Sequence, residues 1–175
     1  MHEFRYFFRA NVAVPGIIQF MKTHVLLGER IAREAKLRLG TSAVIFNQQK
    51  KVLLTRRADN GLWCLPGGAM EAGESIAEAC VREVWEETGL HVEVTRLFGV
   101  YSDPNRVVVY PDGNKVHIVT LNFEANITGG ELGLSNETTE FGYFSLEEAA
   151  QMDIISNHFE RIRDALLGET AAIIK

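Results

Sequence analysis

The chain has 175 residues, 46% hydrophobic and 23% charged, the make-up of an ordinary folded domain rather than a disordered or fibrous chain. A formal net charge of -5 argues against a broad electrostatic grip on nucleic acid or an anionic membrane, and leaves a divalent cation as the means of meeting a polyanionic substrate. No apolar run approaches the roughly 20 residues a membrane helix needs, and the start lacks a signal-peptide pattern, so a cytoplasmic protein without membrane or nucleic-acid partners is expected.

No repeat or long linker interrupts the chain, which divides into an N-terminal extension over residues 1–40 and a domain over residues 41–175. The extension carries Ile17, Ile18, Phe20 and Met21 after Pro15-Gly16, then a basic stretch from Arg30 to Arg38 with helical character. It is a packing arm, a lid or a dimer element, the last implying a homodimer. From Thr41 the periodicity sharpens. Ala43–Phe46 and Lys51–Thr55 read as strands around the polar turn Asn47–Lys50, followed by Leu62–Pro66 and then Gly67-Gly68.

Ser75 to Thr88 predicts a helix, with Ser75 as cap, Glu78 three residues on, and Gly89 as terminator. Strands follow over residues 91–100, 106–110 and 115–125, the last two joined by Pro111-Asp112-Gly113-Asn114. A strand near Phe141–Phe144 leads into helical Leu146–Met152 and Phe159–Leu167. Strands around one central helix, with a helical tail, predict a mixed α/β sandwich.

On a helical wheel Ile76, Ala77, Cys80, Val81, Val84 and Trp85 form the expected core face. Beside it Glu83, Glu86 and Glu87 crowd together at i, i+3 and i+4 spacing. They repel one another, and they sit in the last helical turn, where the backbone dipole disfavours acids. A hard cation held by these carboxylates resolves both penalties, and the glycines at 67 and 68 let backbone approach a ligand. The alternative is a solvated acidic face paired with Arg82.

Spacing decides between them. Gly68, Glu74, Arg82-Glu83-Val84, Glu86-Glu87 and Gly89-Leu90 stand in the pattern G-x5-E-x7-R-E-U-x-E-E-x-G-U, with U bulky and aliphatic. This resembles the Nudix box at every specified position. The resemblance implies an α/β/α sandwich with a mixed β-sheet and a loop–helix–loop catalytic motif. It implies a metal-dependent pyrophosphohydrolase using Mg²⁺, with Mn²⁺ as alternative. Glu86, Glu87 and the Gly67 carbonyl would be metal ligands, and Glu83 a ligand or the base that deprotonates water. Arg82 would orient a glutamate carboxylate and Glu74 brace the loop. A further acid from a later loop would complete the site: Glu137 first, Glu140 second.

The substrate would be a small nucleotide, a nucleoside diphosphate joined to another moiety. Trp63, Phe46 and Tyr101 offer aromatic faces for a base or else belong to the core, and Arg56 or Arg57 would reach a phosphate or form a surface pair. Pro104 stands near where ADP-ribose-cleaving members of the family carry a proline, which tilts the expectation toward ADP-ribose or nucleotide-sugar-like substrates. The alternatives are a nucleoside triphosphate or dinucleoside polyphosphate hydrolase, and a non-catalytic nucleotide sensor. Cys64 and Cys80 read as buried, inert thiols, and His117 as facing core or pocket.

Overall fold

A computed structural model describes residues 23–175. Strand β1 (His24–Leu27) is followed by a 3-10 turn at Ile31–Glu34 and by strands β2 (Lys36–Val44), β3 (Val52–Arg57) and β4 (Trp63–Cys64). Helix α1 (Ile76–Thr88) precedes β5 (Leu90–Tyr101), β6 (Arg106–Val109), β7 (Lys115–Gly130) and β8 (Thr138–Phe144). Helices α2 (Leu146–Ala149) and α3 (Ser156–Leu166) and strand β9 (Ile173–Ile174) complete the chain.

The long strand β7 is the hub of a mixed six-stranded sheet, pairing antiparallel with β5 and β6 and parallel with β2. A second sheet runs β4-β3-β8. Alternation along β2 and β3 sends successive residues to opposite faces. Ala43, Ile45 and Leu53 pack with Cys80 and Val84 of α1, while Val44, Val52 and Leu54 pack with Phe98 and with Ile162 and Ala165 of α3. The result is the expected sandwich, with α1 on one face and α2–α3 on the other. Among the described residues no helix is long and apolar enough to cross a membrane.

Local signals held where the chemistry was local. The side chain of Ser75 accepts from the Glu78 N–H (3.3 Å) and the Glu78 carboxylate accepts from the Ser75 N–H (2.7 Å), a closed capping box. Gly89 ends the helix in a left-handed conformation at φ 74°, its N–H donating to the Trp85 carbonyl. The turn at 111–114 closes through the Tyr110 N–H and the Asn114 carbonyl at 3.0 Å.

Two expectations are corrected. The helical character of Arg30–Arg38 resolves into the single 3-10 turn and the start of β2, because Leu37 and Leu39 pair with His117 and Val119 of β7. Thr41 lies inside β2, and β1 pairs with β6 upstream of it. On α1 the buried arc is Ala79, Cys80, Val84, Glu87 and Thr88, while Trp85 is 51% exposed. The core face is rotated toward a glutamate. The residues Ile17 to Met21 lie outside the described residues.

Candidate active site

The loop before α1 runs beside β2. The Thr41 N–H donates to the Gly68 carbonyl and the Ala43 N–H to the Pro66 carbonyl, both at 2.9 Å. Extended-chain alternation turns the intervening Gly67 away from β2, and its N–H donates to Glu87 Oε2 at 3.0 Å. Backbone leaves no room for a side chain at Gly67, and the Glu83 carboxylate occupies the space at Gly68. A Cβ on Gly67 (φ 148°) would lie 2.3 Å from the Thr41 carbonyl oxygen, and one on Gly68 would lie 2.4 Å from the Glu83 carboxylate. The Glu83 side chain thus rests on bare backbone.

Arg82 ties loop and helix together. Its guanidinium grips Glu74 through Nε (3.0 Å) and Nη2 (2.7 Å), and Nη2 also donates to the Ala69 carbonyl. Nη1 lies 3.0 Å from both Glu83 and Glu86. This fork and the Glu71 N–H hold the Glu74 carboxyl down at about 2, so it stays ionised. The neighbouring acids move the other way. Glu87 is only 4% exposed, and burial, with the charges of Glu83 and Glu137 behind it, pushes its carboxyl up to about 7 against the Gly67 hydrogen bond. Burial also raises Glu83, in spite of Arg82. Glu86 points outward, its side chain 48% exposed.

Glu137 belongs to this cluster. Its loop is fastened to the end of α1 by the Thr138 hydroxyl donating to the Glu87 carbonyl (3.0 Å) and by the Gly133 N–H donating to the Thr88 carbonyl (2.9 Å). Glu140 is spent elsewhere, in a 2.5 Å surface pair with Arg56. Among the described residues no three Asp, Glu, His or Cys side chains close around one point. Arg82 explains this by drawing Glu83 and Glu86 onto its own Nη1. The donor chemistry still fits a hard divalent cation: carboxylate oxygens and a glycine backbone, with two of the acids raised chiefly by burial.

A cavity of about 630 Å³ opens between the sheet and α3. Arg57, Leu62, Ile118, Thr120, Asn157 and Arg161 line it. It adjoins the acidic cluster: Thr120 and Ile118 flank Gly40, whose missing Cβ faces the Gly68 carbonyl, and the charge of Glu87 reaches Arg57. Of the four expected substrate contacts the structure brings Arg57 and Tyr101 to this cavity and leaves Arg56 and Trp63 out of it. Arg56 donates to the Gly61 carbonyl and Glu140, and Trp63 packs edge-on to Phe144 with centroids 5.0 Å apart. Arg57 is braced by both oxygens of Asp59. Tyr101 is mostly core, its hydroxyl donating to Asp164 at 2.8 Å. Phe46 packs in the α3-side core.

Cys64 and Cys80 are buried thiols raised to about 11 by burial, unreactive as expected. His117 is half-buried on β7 and does not line the cavity. Asn157, His158 and Arg161 on the cavity wall escaped the sequence reading, and the polar run Ser156-Asn157-His158 opening an otherwise apolar-faced helix was their one visible signal.

The chain belongs to the Nudix family: the model of the NUDIX domain matches residues 36–165. It is a Nudix hydrolase by that membership. It is 37% identical over 123 residues to the ADP-ribose pyrophosphatase of Methanocaldococcus jannaschii, covering 69% of this chain and 68% of that protein. It is 35% identical over 130 residues to a MutT-like protein of Streptomyces ambofaciens, covering 74% of this chain and 77% of that one. Among solved structures, an ADP-ribose pyrophosphatase from Streptococcus suis superposes with a TM-score of 0.60 at 25% identity, covering 79% of this chain and 98% of that chain.

Proposed function

We propose that this protein hydrolyses the diphosphate linkage of a nucleoside diphosphate derivative, of the ADP-ribose or nucleotide-sugar kind, with Mg²⁺ or Mn²⁺. The observation that carries the reading is the acidic cluster seated on Gly67-Gly68, in which Glu87 is buried and raised to about 7 beside Glu83 and Glu137. Names of relatives support the substrate class: two of the proteins it resembles are called ADP-ribose pyrophosphatase.

Glu86, Glu87 and the Gly67 carbonyl would hold the cation, with Glu83 as a further ligand or as base. When bound, the cation would neutralise phosphate charge and lower the pKa of a water. Arg82 holds Glu83 and Glu86 at Nη1 while keeping its fork on Glu74, which ties these acids to the loop before α1. Burial raises the carboxyls of Glu83 and Glu87, and Glu137 is the other acid within their field, so Glu83, where it does not ligate the cation, would take the proton of the attacking water. Arg57, at the junction of cavity and cluster, would meet a phosphate oxygen. Nucleoside and distal moiety would lie along the cavity.

The test is to incubate the protein with Mg²⁺ and, separately, ADP-ribose, nucleotide sugars, dinucleoside polyphosphates and nucleoside triphosphates, and to resolve products by chromatography. Two phosphomonoester products from ADP-ribose or a nucleotide sugar are expected. Turnover of triphosphates alone would replace the substrate class, and no turnover of any compound would leave a nucleotide-binding module.

A further inference from the structure

The cavity holds more positive charge than its own acids answer. Arg161 on α3 is 4% exposed, stacks its guanidinium 5.3 Å from the Tyr101 ring, and has a buried Nε with no partner among the described residues. Arg106, at the start of β6, lines the same cavity and makes no ion pair among the described residues. The two cations oppose each other, and burial weighs on both. Asp103 acts on Arg106 and Glu160 on Arg161 from a distance, but Glu160 is engaged by Lys175 at 2.8 Å. The charge of Glu87 reaches Arg57.

His158 adds a third donor. Its Nδ1 accepts the Leu65 N–H at 3.0 Å, so in the neutral ring the proton sits on Nε2. Burial and the surrounding arginines keep the ring neutral. The Nε2–H and the Arg161 Nη1–H, 3.5 Å apart, are therefore two donors facing one another, and neither satisfies the other. Buried donors left in this state call for an acceptor.

We propose that this side of the cavity receives a phosphate monoester of the substrate, separate from the diphosphate that is cleaved, with Arg106 and Arg161 as specificity-determining residues. A monoester dianion matches two unpaired guanidinium groups, whereas a carboxylate would leave one cation unanswered. The inference rests on the cavity being the substrate pocket, as in the proposed function. A buried cation that makes no ion pair among the described residues weakens the ligand-free fold, a cost in stability that an anion bound at Arg161 repays.

The experiment compares substrate pairs that differ only in a monoester: ADP-ribose with its 2′-phosphate, and dephospho-coenzyme A with coenzyme A. Steady-state hydrolysis in Mg²⁺ is expected to show, in at least one pair, a KM about 10-fold or more lower for the phosphorylated member. Arg106→Ala and Arg161→Met should bring the ratio within that pair close to one. Arg161→Met should melt no lower than the parent protein in chelator, the opposite of what loss of a structural arginine does. Equal KM values in both pairs, with turnover, overturn this inference and leave the diphosphate hydrolase standing. Equal losses for both members in the variants overturn it too, since the arginines would then serve the shared diphosphate. Should nothing be turned over, the proposed function fails, and calorimetric titration of 2′-phosphorylated ADP-ribose into parent and Arg106→Ala protein decides the arginine site separately. Binding weakened about 10-fold by the substitution supports it, and unchanged or absent binding overturns it.

Discussion

Replacing Glu87 by Gln should make the metal-free protein more stable while removing its activity. The Glu87 carboxyl sits at about 7 in the fold against an ordinary 4.5. Below pH 4.5 both folded and unfolded chains hold the proton and the fold loses nothing. As pH rises from there the unfolded chain releases the proton first, and the fold loses stability until the folded group also ionises near pH 7. Each pH unit between the two values is worth about 1.4 kcal/mol, so the buried charge costs on the order of 3 kcal/mol at pH 8. Glutamine keeps an oxygen for the Gly67 N–H and carries no charge. In chelator at pH 8 the variant should melt roughly 6–12 °C above the parent, and near pH 5 the gap should mostly close. Added Mg²⁺ should raise the melting temperature of the parent and not of the variant. Hydrolysis should fall at least ~100-fold, as for loss of an electrostatic contact in the transition state. A variant less stable than the parent at pH 8 in chelator would refute the reasoning, because Glu87 would then be a satisfied structural charge.

Two further substitutions probe separate joints. Gly68→Ala places a methyl group 2.4 Å from the Glu83 carboxylate, the flexible end of a side chain, so folding should change by less than about 1 kcal/mol while kcat falls about 10-fold or more. An unchanged kcat with the alanine in place would mean that the seat of Glu83 is immaterial. Tyr101→Phe removes the 2.8 Å hydrogen bond to the buried Asp164, leaving its carboxylate with Lys175 among the described residues. A loss of about 1–2 kcal/mol, read as a drop of roughly 3–6 °C in melting temperature, is expected. No change would show that the phenol oxygen contributes nothing to the core.

The candidate site was legible because its determinants are local. Glu83, Glu86 and Glu87 share a helical face by spacing alone, and Ser75, Glu78 and Gly89 fix that helix by capping groups visible in the sequence. What escaped was long-range. Nothing within Arg30–Arg38 announces that Leu37 and Leu39 pair with β7, so its alternating charges resembled a helix. Trp85 falls on the core arc by helical phase, yet the helix rolls to bury Glu87, whose carboxylate meets the Gly67 N–H. Glu137 was legible as the first-choice loop acid near the site, and the pairing of Arg56 with Glu140 across β3 and β8 supplies the long-range reason that Glu140 stands apart. The cavity arginines come from β6 and α3, elements far apart in sequence, and no local pattern joins them.

Hydrolysis of ADP-ribose as a function of Mg²⁺ concentration, for the parent protein and for Glu86→Gln and Glu87→Gln, tests the central claim most directly. The parent should form AMP and ribose 5-phosphate only with the cation present. Glu86→Gln should need more cation, and Glu87→Gln should lose at least ~100-fold in kcat. Turnover that persists in chelator, or that neither substitution slows, would contradict a cation held on the α1 carboxylates.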